Sequence, residues 1–103
     1  MSFKINITET ASLDLDCIYE YIAVNLQSPQ NAKLQLRRLI ESINKLDEMP
    51  ERFHLYESEK SSLRNMRMMP VDNYSIYYIP DLENETVAII RVISQRQDRS
   101  RQF

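Results

Sequence analysis

The chain has 103 residues, of which 43% are apolar and 27% charged, so it can build one small hydrophobic core and is too apolar to be disordered. It contains no glycine, which excludes the GxGxxG dinucleotide loop, the Walker phosphate loop and the GxSxG nucleophile elbow. One cysteine (Cys17) and one histidine (His54) exclude an internal disulfide and a Cys/His metal site. We therefore expect one domain over residues 1–103 that needs no metal or cofactor.

The net charge of −2 and the pI of about 5.4 do not indicate a nucleic-acid binder. The charge is nevertheless uneven, because residues 91–103 hold four arginines and one acidic residue, Asp98. No export signal is recognisable at the amino terminus, and no apolar run approaches the ~20 residues that span a bilayer. We expect a cytoplasmic protein with a basic tail and no membrane contact.

The first half of the sequence predicts a strand followed by two helices. Residues 3–8 alternate apolar and polar side chains, as a half-buried strand does. Thr8 or Thr10 then caps a helix near 9–25, and Ser28-Pro29 starts a second one near 29–48 that Pro50 stops. A short link makes the two helices an antiparallel hairpin. Their apolar stripes are Ala11, Leu15, Ile18, Ile22 and Leu26 in the first, and Ala32, Leu36, Leu39, Ile43 and Leu46 in the second.

The second half changes to the period of strands. We predict strands near 63–69, ended by Pro70, near 73–79 and near 86–94, with turn-forming residues between the last two. The last strand is apolar on both faces, which is typical of a central strand. The order β-α-α-β-β-β predicts an α+β fold, with a three- or four-stranded antiparallel sheet covered on one face by the helical hairpin.

Arginines on or just after the predicted strands are the most interesting polar residues: Arg64, Arg67, Arg91 and Arg96. Arg91 interrupts an apolar run, so its guanidinium should be partly buried and must find hydrogen-bond acceptors. Two interpretations remain open. The arginines form an anion-binding surface for phosphate or an acidic protein, or Arg91 forms a structural ion pair with Asp72 or Asp98.

The tyrosines of the third strand are the second candidate set. Alternation places Tyr74 and Tyr78 on one face of the sheet and Tyr77 on the other. Such rings can stack on bases or contact phosphate, although packing in the core is the more common use. We interpret the acidic residues Asp14, Asp16 and Glu20 as a solvated helix face. No nucleophile–base pair stands out.

Several short motifs, in this order, resemble toxins of the RelE/ParE superfamily over nearly the whole chain. No single motif is specific, but their order is. They are Thr8-Glu9-Thr10-Ala11 with Asp14-Leu15, the run 18–23, the run 28–32, Arg67-x-x-Pro70-Val71-x-Asn73-Tyr74-x-Ile76-x-Tyr78, Ile89-Ile90-Arg91-Val92 and Arg96-x-Asp98.

The resemblance implies the toxin component of a type II toxin–antitoxin (plasmid stabilisation) system, which inhibits growth until an antitoxin neutralises it. Operator DNA would be contacted only through the antitoxin. The superfamily has two activities: RelE-type members are ribosome-dependent mRNA endonucleases (mRNA interferases), and ParE-type members poison DNA gyrase. The fold that the resemblance implies matches the predicted β-α-α-β-β-β order.

Individual positions favour the ParE side. Arg67 and Arg96 fall where RelE-type enzymes carry functional arginines, but Ser75 and Asn65 stand where those enzymes have an arginine and a lysine. Phe103 stands in place of a C-terminal catalytic tyrosine. The resemblance thus implies a DNA gyrase inhibitor that acts by binding. A RelE-like ribosome-dependent mRNA endonuclease and an inactive toxin-fold protein are the alternatives. The candidate target-binding or activity residues are Arg64, Arg67, Tyr74, Tyr78, Arg91, Arg96 and Arg99.

Overall fold

The computed structural model describes residues 2–48, 50, 53 and 65–95. The elements follow the predicted order β-α-α-β-β-β, which confirms the α+β fold. They are strand β1 (Lys4–Ile7), helix α1 (Glu9–Glu20) with a π-helical turn (Tyr21–Asn25), helix α2 (Pro29–Asn44) with a 3-10 turn (Lys45–Asp47), and strands β2 (Arg67–Val71), β3 (Tyr74–Asp81) and β4 (Thr86–Ser94).

The helix starts are close to those expected. Thr8, rather than Thr10, caps α1, because its Oγ1 accepts a hydrogen bond from the Ala11 N–H at 3.2 Å. Pro29 is the first residue of α2, where its missing N–H costs no helical hydrogen bond. Ser28 stands at the cap position of α2, but its side chain makes no capping hydrogen bond.

The four strands form one sheet in the order β1-β4-β3-β2. The β2, β3 and β4 strands form the predicted antiparallel meander, whereas β1 lies parallel to β4, from Lys4 opposite Thr86 to Ile7 opposite Ile89. The sheet is therefore mixed rather than antiparallel throughout, since the helical hairpin carries the chain from β1 to β2 at the opposite edge, and the meander then returns β4 to the side of β1. Pro70 lies inside β2 instead of ending it, because an edge strand tolerates a residue without an N–H.

The main core lies between the helical hairpin and one face of the sheet. Ile43 belongs to it, Ile18 and Leu36 pack against it, and Ile22 is buried as well. Leu26 is 55% exposed, contrary to the predicted stripe, because the π-helical turn before it changes the helical register. The buried residues of this core are Ala11, Leu15, Leu39, Ile43, Leu46, Met69, Ile76, Tyr78, Val87, Ile89 and Val92.

The opposite face of the sheet carries a second, smaller cluster of Met66, Tyr77 and Ile93. The predicted alternation of the tyrosines is confirmed, since Tyr78 lies in the main core and Tyr77 in this second cluster. The pairing of β3 with β4 shifts between Tyr77 and Tyr78 and leaves Ile90 as an extra residue. Such a bulge bends and twists a strand, and here it lies directly after the last residue of β4 that pairs with β1.

Within the described residues, no helix is both long enough and apolar enough to span a membrane.

Candidate functional site

Helix α1 replaces β1 as the neighbour of β4 beyond Ile89. In the described residues, β1 pairs with β4 only as far as Ile89. The Ile89 carbonyl accepts hydrogen bonds from the Thr8 N–H at 3.2 Å and from the Thr8 Oγ1 hydroxyl at 2.7 Å. Six residues further on, Asp14 Oδ2 accepts the Val92 N–H at 2.9 Å. Two side chains of the α1 region thus satisfy strand groups that would otherwise need a further strand.

The same carboxylate of Asp14 binds the Arg91 guanidinium in a two-pronged ion pair. Arg91 Nε lies 2.8 Å from Asp14 Oδ2, and Arg91 Nη2 lies 3.1 Å from Oδ1. Only 28% of the Arg91 side chain and 16% of the Asp14 side chain are exposed. The hydrogen bonds to Asp14 raise the pKa of Arg91, against the opposing effect of burial, so the guanidinium is charged at neutral pH.

This pair corrects two predictions. Arg91 does form a structural ion pair, but its partner is Asp14 rather than Asp72, while Asp98 lies outside the described residues. Asp14 is not part of a solvated helix face, because it faces the edge of β4. The sequence shows that position 14 is on a helix and position 91 on a strand. The sequence does not show which part of β4 lies against α1. The ion pair between Asp14 and Arg91 depends on that position.

A groove opens beside the ion pair, between α1 and the C-terminal end of β4; we call it the α1–β4 groove. Its volume is about 330 Å³. Tyr74, at the start of β3, pairs with Ser94 and lines the groove. The groove brings together two of the predicted candidates, Tyr74 and Arg91. The residues that line it are Asp14, Cys17, Ile18, Tyr21, Tyr74, Arg91, Val92, Ile93 and Ser94.

Tyr74 is partly buried at the margin of the main core. Burial raises the pKa of its phenol, and the negative charges of an ionised Tyr21 and of Asp72 raise it further. The hydroxyl therefore stays protonated at neutral pH, where it can donate a hydrogen bond but cannot act as a general base.

Two other candidates contact the chain just beyond the helical hairpin. Tyr78 is fully buried, and its hydroxyl donates to the Pro50 carbonyl at 2.6 Å. Arg67 Nη1 donates to the Phe53 carbonyl at 2.6 Å. Both side chains thus tie the segment after α2 to the β2–β3 pair. The remaining candidates, Arg64, Arg96 and Arg99, lie outside the described residues.

Asp72, one of the two partners considered for Arg91, instead holds α2 to the β2–β3 turn. Its Oδ1 accepts from Arg38 Nη2 at 2.7 Å, and its Oδ2 accepts from Gln35 Nε2 at 3.0 Å. Sequence reasoning missed this contact, because Arg38 shows only as a charge on the outer side of α2. No group of three or more His, Cys, Asp or Glu side chains that would hold a metal ion occurs among the described residues.

Small bacterial and archaeal toxins of known structure share this architecture, a helical hairpin packed on one face of a four-stranded mixed sheet. The family model "ParE toxin of type II toxin-antitoxin system, parDE" matches residues 5–99 of the chain. The chain therefore belongs to the ParE toxin family, within the ParE/RelE toxins of type II toxin–antitoxin systems. No curated protein matches the sequence.

Solved structures that resemble the chain include a ParDE system and two RelBE-type complexes. The chromosomal ParDE system from P. aeruginosa is 20% identical, with a TM-score of 0.74, and the match covers 90% of this chain and 96% of that one. The RelBE2 complex from Mycobacterium tuberculosis is 22% identical, with a TM-score of 0.66 and coverage of 91% and 99%. The archaeal RelE–RelB complex from Pyrococcus horikoshii is 15% identical, with a TM-score of 0.62 and coverage of 92% and 97%. At these identities the likeness shows the fold alone.

Proposed function

We propose that this toxin inhibits growth by binding DNA gyrase, without cleaving a nucleic acid, and that a cognate antitoxin neutralises it. The observation that carries the proposal is the use of the candidate residues within the described part of the fold. Arg91 is bound by Asp14, Arg67 by the Phe53 carbonyl, and Tyr78 is buried. These side chains hold elements of the fold together and do not converge on one phosphate-sized site.

Cleavage of RNA makes demands that this arrangement does not support. A nuclease needs a group that accepts the proton of the attacking hydroxyl, and cationic groups aimed at the charge that develops on the phosphate. Tyr74 keeps its proton at neutral pH, and Ser75, where RelE-type enzymes have an arginine, is 1% exposed. Asn65 stands where those enzymes have a lysine. Inhibition by binding needs none of these groups.

We place the contact with gyrase in the segment from Arg91 to Arg101. Strand β4 is held on one side by β3 and on the other by Asp14, so the start of this segment has a rigid base. The segment contains four arginines and only one acidic residue, Asp98. A positive segment on a rigid base engages an acidic or phosphate-bearing surface through electrostatic attraction.

The alternative function is a ribosome-dependent mRNA endonuclease. It requires Arg67 and Arg96 beside a bound mRNA phosphate, with a tyrosine nearby to move protons. Of the two candidate tyrosines on the main-core face, only Tyr74 reaches the surface, because Tyr78 is fully buried. Because the fold also resembles RelE-type structures, the experiment below measures mRNA cleavage as well.

The antitoxin partner is proposed from the similar solved structures, which are described as toxin–antitoxin systems or complexes. We expect a neighbouring gene that encodes a small protein with a DNA-binding part and a segment that folds on the toxin. Operator DNA would then be bound through the antitoxin alone. Exposed apolar side chains offer surface for such a segment, among them Leu13, Tyr21, Val24 and Leu34.

Both functions can be measured in one experiment. Cells express the toxin, and plasmid supercoiling and the ends of mRNA are then assayed in the same culture. We expect loss of negative supercoiling with intact messages, and a weaker effect in Arg96→Ala. Codon-phased mRNA cuts that vanish in Arg67→Ala, with normal supercoiling, would establish the nuclease instead. Arg37→Ala, an exposed arginine on α2, is the matched control and should behave like the natural sequence.

A further inference from the structure

We propose that the α1–β4 groove binds an extended segment of a partner protein, anchored by an arginine side chain that lies between Tyr21 and Tyr74. Under the proposed function this partner is the antitoxin, so the identity of the partner rests on that function. The chemistry of the groove does not, because it depends on the described residues alone.

The shape of the groove favours an extended peptide. One wall is the helix face of Asp14, Ile18 and Tyr21, and the other is the strand stretch from Arg91 to Ser94. The volume of about 330 Å³ is at the lower end of the range for ligand sites. A groove with a helix on one side and a strand on the other accepts an extended chain whose alternate side chains enter it.

The two tyrosines form the anchor. Tyr21, the first residue of the π-helical turn after α1, is 52% exposed, and it lines the groove together with Tyr74 from the start of β3. They are near enough for the charge of an ionised Tyr21 to raise the pKa of Tyr74. Aromatic faces attract a guanidinium that lies within about 6 Å of the ring centre, and arginine makes such contacts more often than lysine. Two tyrosine rings that line the same groove therefore suit an arginine.

The electrostatic environment also favours a cation over a carboxylate. Helix α1, which forms one wall of the groove, contains four acidic residues and no Lys or Arg. Among the described residues that line the groove, Arg91 is the one cation, and Asp14 neutralises it.

Apolar side chains extend the surface along α1. Leu13 and Cys17 lie on the same side of the helix as Tyr21 at spacings of four residues, and Leu13 is 57% exposed. Val24, in the π-helical turn, is 64% exposed. The segment that fits the groove therefore carries apolar residues on either side of its arginine. A second copy of this chain, or its own arginine-containing residues 96–103, are the other possible occupants that the test must separate.

Cys17 provides the measurement, because it lines the groove, is exposed and is the only cysteine in the sequence. The probe is a capped pentapeptide of alternating leucine and arginine, and the readout is the rate at which the uncharged reagent iodoacetamide alkylates Cys17 in the full chain. We expect the peptide to slow alkylation at least fivefold, with saturation. The peptide with citrulline in place of arginine, and that with glutamate, should protect far less. Equal protection by all three peptides would overturn the proposal.

Two variants and one relocated cysteine make the result specific. Tyr21→Ala should weaken binding of the arginine peptide about tenfold, whereas Tyr21→Phe, which keeps the ring, should leave binding unchanged. Tyr19→Ala is the matched control, since Tyr19 does not line the groove. Combining Cys17→Ser with Leu82→Cys moves the thiol to the turn before β4, at the far end of that strand, where the peptide should leave alkylation unchanged. If the Tyr21→Ala protein binds the arginine peptide as tightly as the natural protein does, Tyr21 does not anchor the arginine.

The co-purified antitoxin complex separates this inference from the proposed function. Protection of Cys17 in the complex, lost in Tyr21→Ala, supports the inference. A complex in which Cys17 reacts as fast as in the free toxin refutes the groove as the docking site and leaves the proposed function intact. Failure to form any complex refutes the proposed partner, whereas the peptide experiment still tests the groove.

Two other occupants are tested on the free toxin. If Cys17 reacts faster once Arg96, Arg99 and Arg101 are changed to alanine, residues 96–103 are the occupant, which would overturn the proposal. If Cys17 of the toxin alone is protected from alkylation as the toxin concentration rises, the occupant is a second copy of the chain, which would also overturn the proposal.

Discussion

Asp14 and Arg91, which are 77 residues apart in the sequence, form an ion pair that joins α1 to the edge of β4. The same carboxylate also accepts the Val92 N–H, so one side chain satisfies three donors of a strand that β1 no longer covers. The α1–β4 groove lies directly beside this contact. The ion pair therefore sets the spacing between the helix wall and the strand wall of the groove.

Replacing Asp14 should lower stability more than replacing any other acidic residue of α1. Asp14→Ala leaves a partly buried guanidinium and the Val92 N–H without their acceptor, which should cost about 2–3 kcal/mol. Asp16→Ala, at an exposed position of the same helix, is the control and should change stability by less than about 0.5 kcal/mol. Urea unfolding followed by circular dichroism measures both. Equal effects of the two substitutions would show that the ion pair does not fasten the helix.

The Tyr78 hydroxyl should contribute measurably to stability through its buried hydrogen bond to the Pro50 carbonyl. Tyr78→Phe removes the donor and leaves a buried carbonyl, so we expect a loss of about 1–2 kcal/mol in the free energy of unfolding. Tyr21→Phe removes the hydroxyl of a half-exposed ring and should change stability by less than about 0.5 kcal/mol. A Tyr78→Phe protein as stable as the natural one would contradict the buried contact.

Backbone strain in the β3–β4 turn offers a stabilising substitution in a chain without glycine. Glu85 has a φ of 53°, in the left-handed region where a Cβ costs about 1–2 kcal/mol. Its carbonyl accepts the Lys4 N–H at 2.8 Å, a backbone contact that a substitution of the side chain keeps. Glu85→Gly should therefore raise the melting temperature.

Glu83→Gly is the control for this prediction, because Glu83 is exposed in the same turn and has no positive φ. The added freedom of the unfolded chain should make it destabilising by about 0.5–1 kcal/mol. Calorimetry of the two variants under identical conditions gives the comparison. If both variants melt at lower temperature than the natural protein, the strain assigned to Glu85 is absent.

The raised pKa of Tyr74 predicts how stability changes at alkaline pH. The unfolded tyrosine ionises near pH 10, whereas folded Tyr74 keeps its proton to higher pH because of burial and its acidic neighbours. The folded state then binds more protons than the unfolded state, so stability falls as the pH rises above about 10. Tyr74→Phe should remove part of this decline and leave stability at pH 7–9 little changed. An unchanged slope above pH 10 would contradict the assignment.

The fold could be predicted from the sequence because it depends on local patterns. Period-2 alternation in residues 3–8 and the helical spacing of the two apolar stripes sufficed for the element order and the main core. The same alternation placed Tyr77 and Tyr78 on opposite faces of the sheet. These features depend on neighbouring residues only, so local patterns are enough to predict them.

The ion pairs could not be predicted, because they depend on how distant elements lie against each other. Asp14 reaches Arg91 only because β1 ends at Ile7 and α1 takes its place beside β4. Asp72 reaches Arg38 only because the β2–β3 turn lies against α2. The parallel pairing of β1 and the exposure of Leu26 after the π-helical turn have the same origin. Sequence periodicity carries no information on these registers.

The most direct test of gyrase inhibition by binding uses purified components without ribosomes. DNA gyrase is incubated with relaxed plasmid, ATP and increasing amounts of the toxin, and supercoiling is followed on gels beside Arg96→Ala and Arg37→Ala. The account predicts loss of supercoiling at toxin concentrations near that of gyrase, a weaker effect of Arg96→Ala and no change for Arg37→Ala. Undiminished supercoiling at a large excess of folded toxin, together with cleavage of mRNA when ribosomes are supplied, would contradict it.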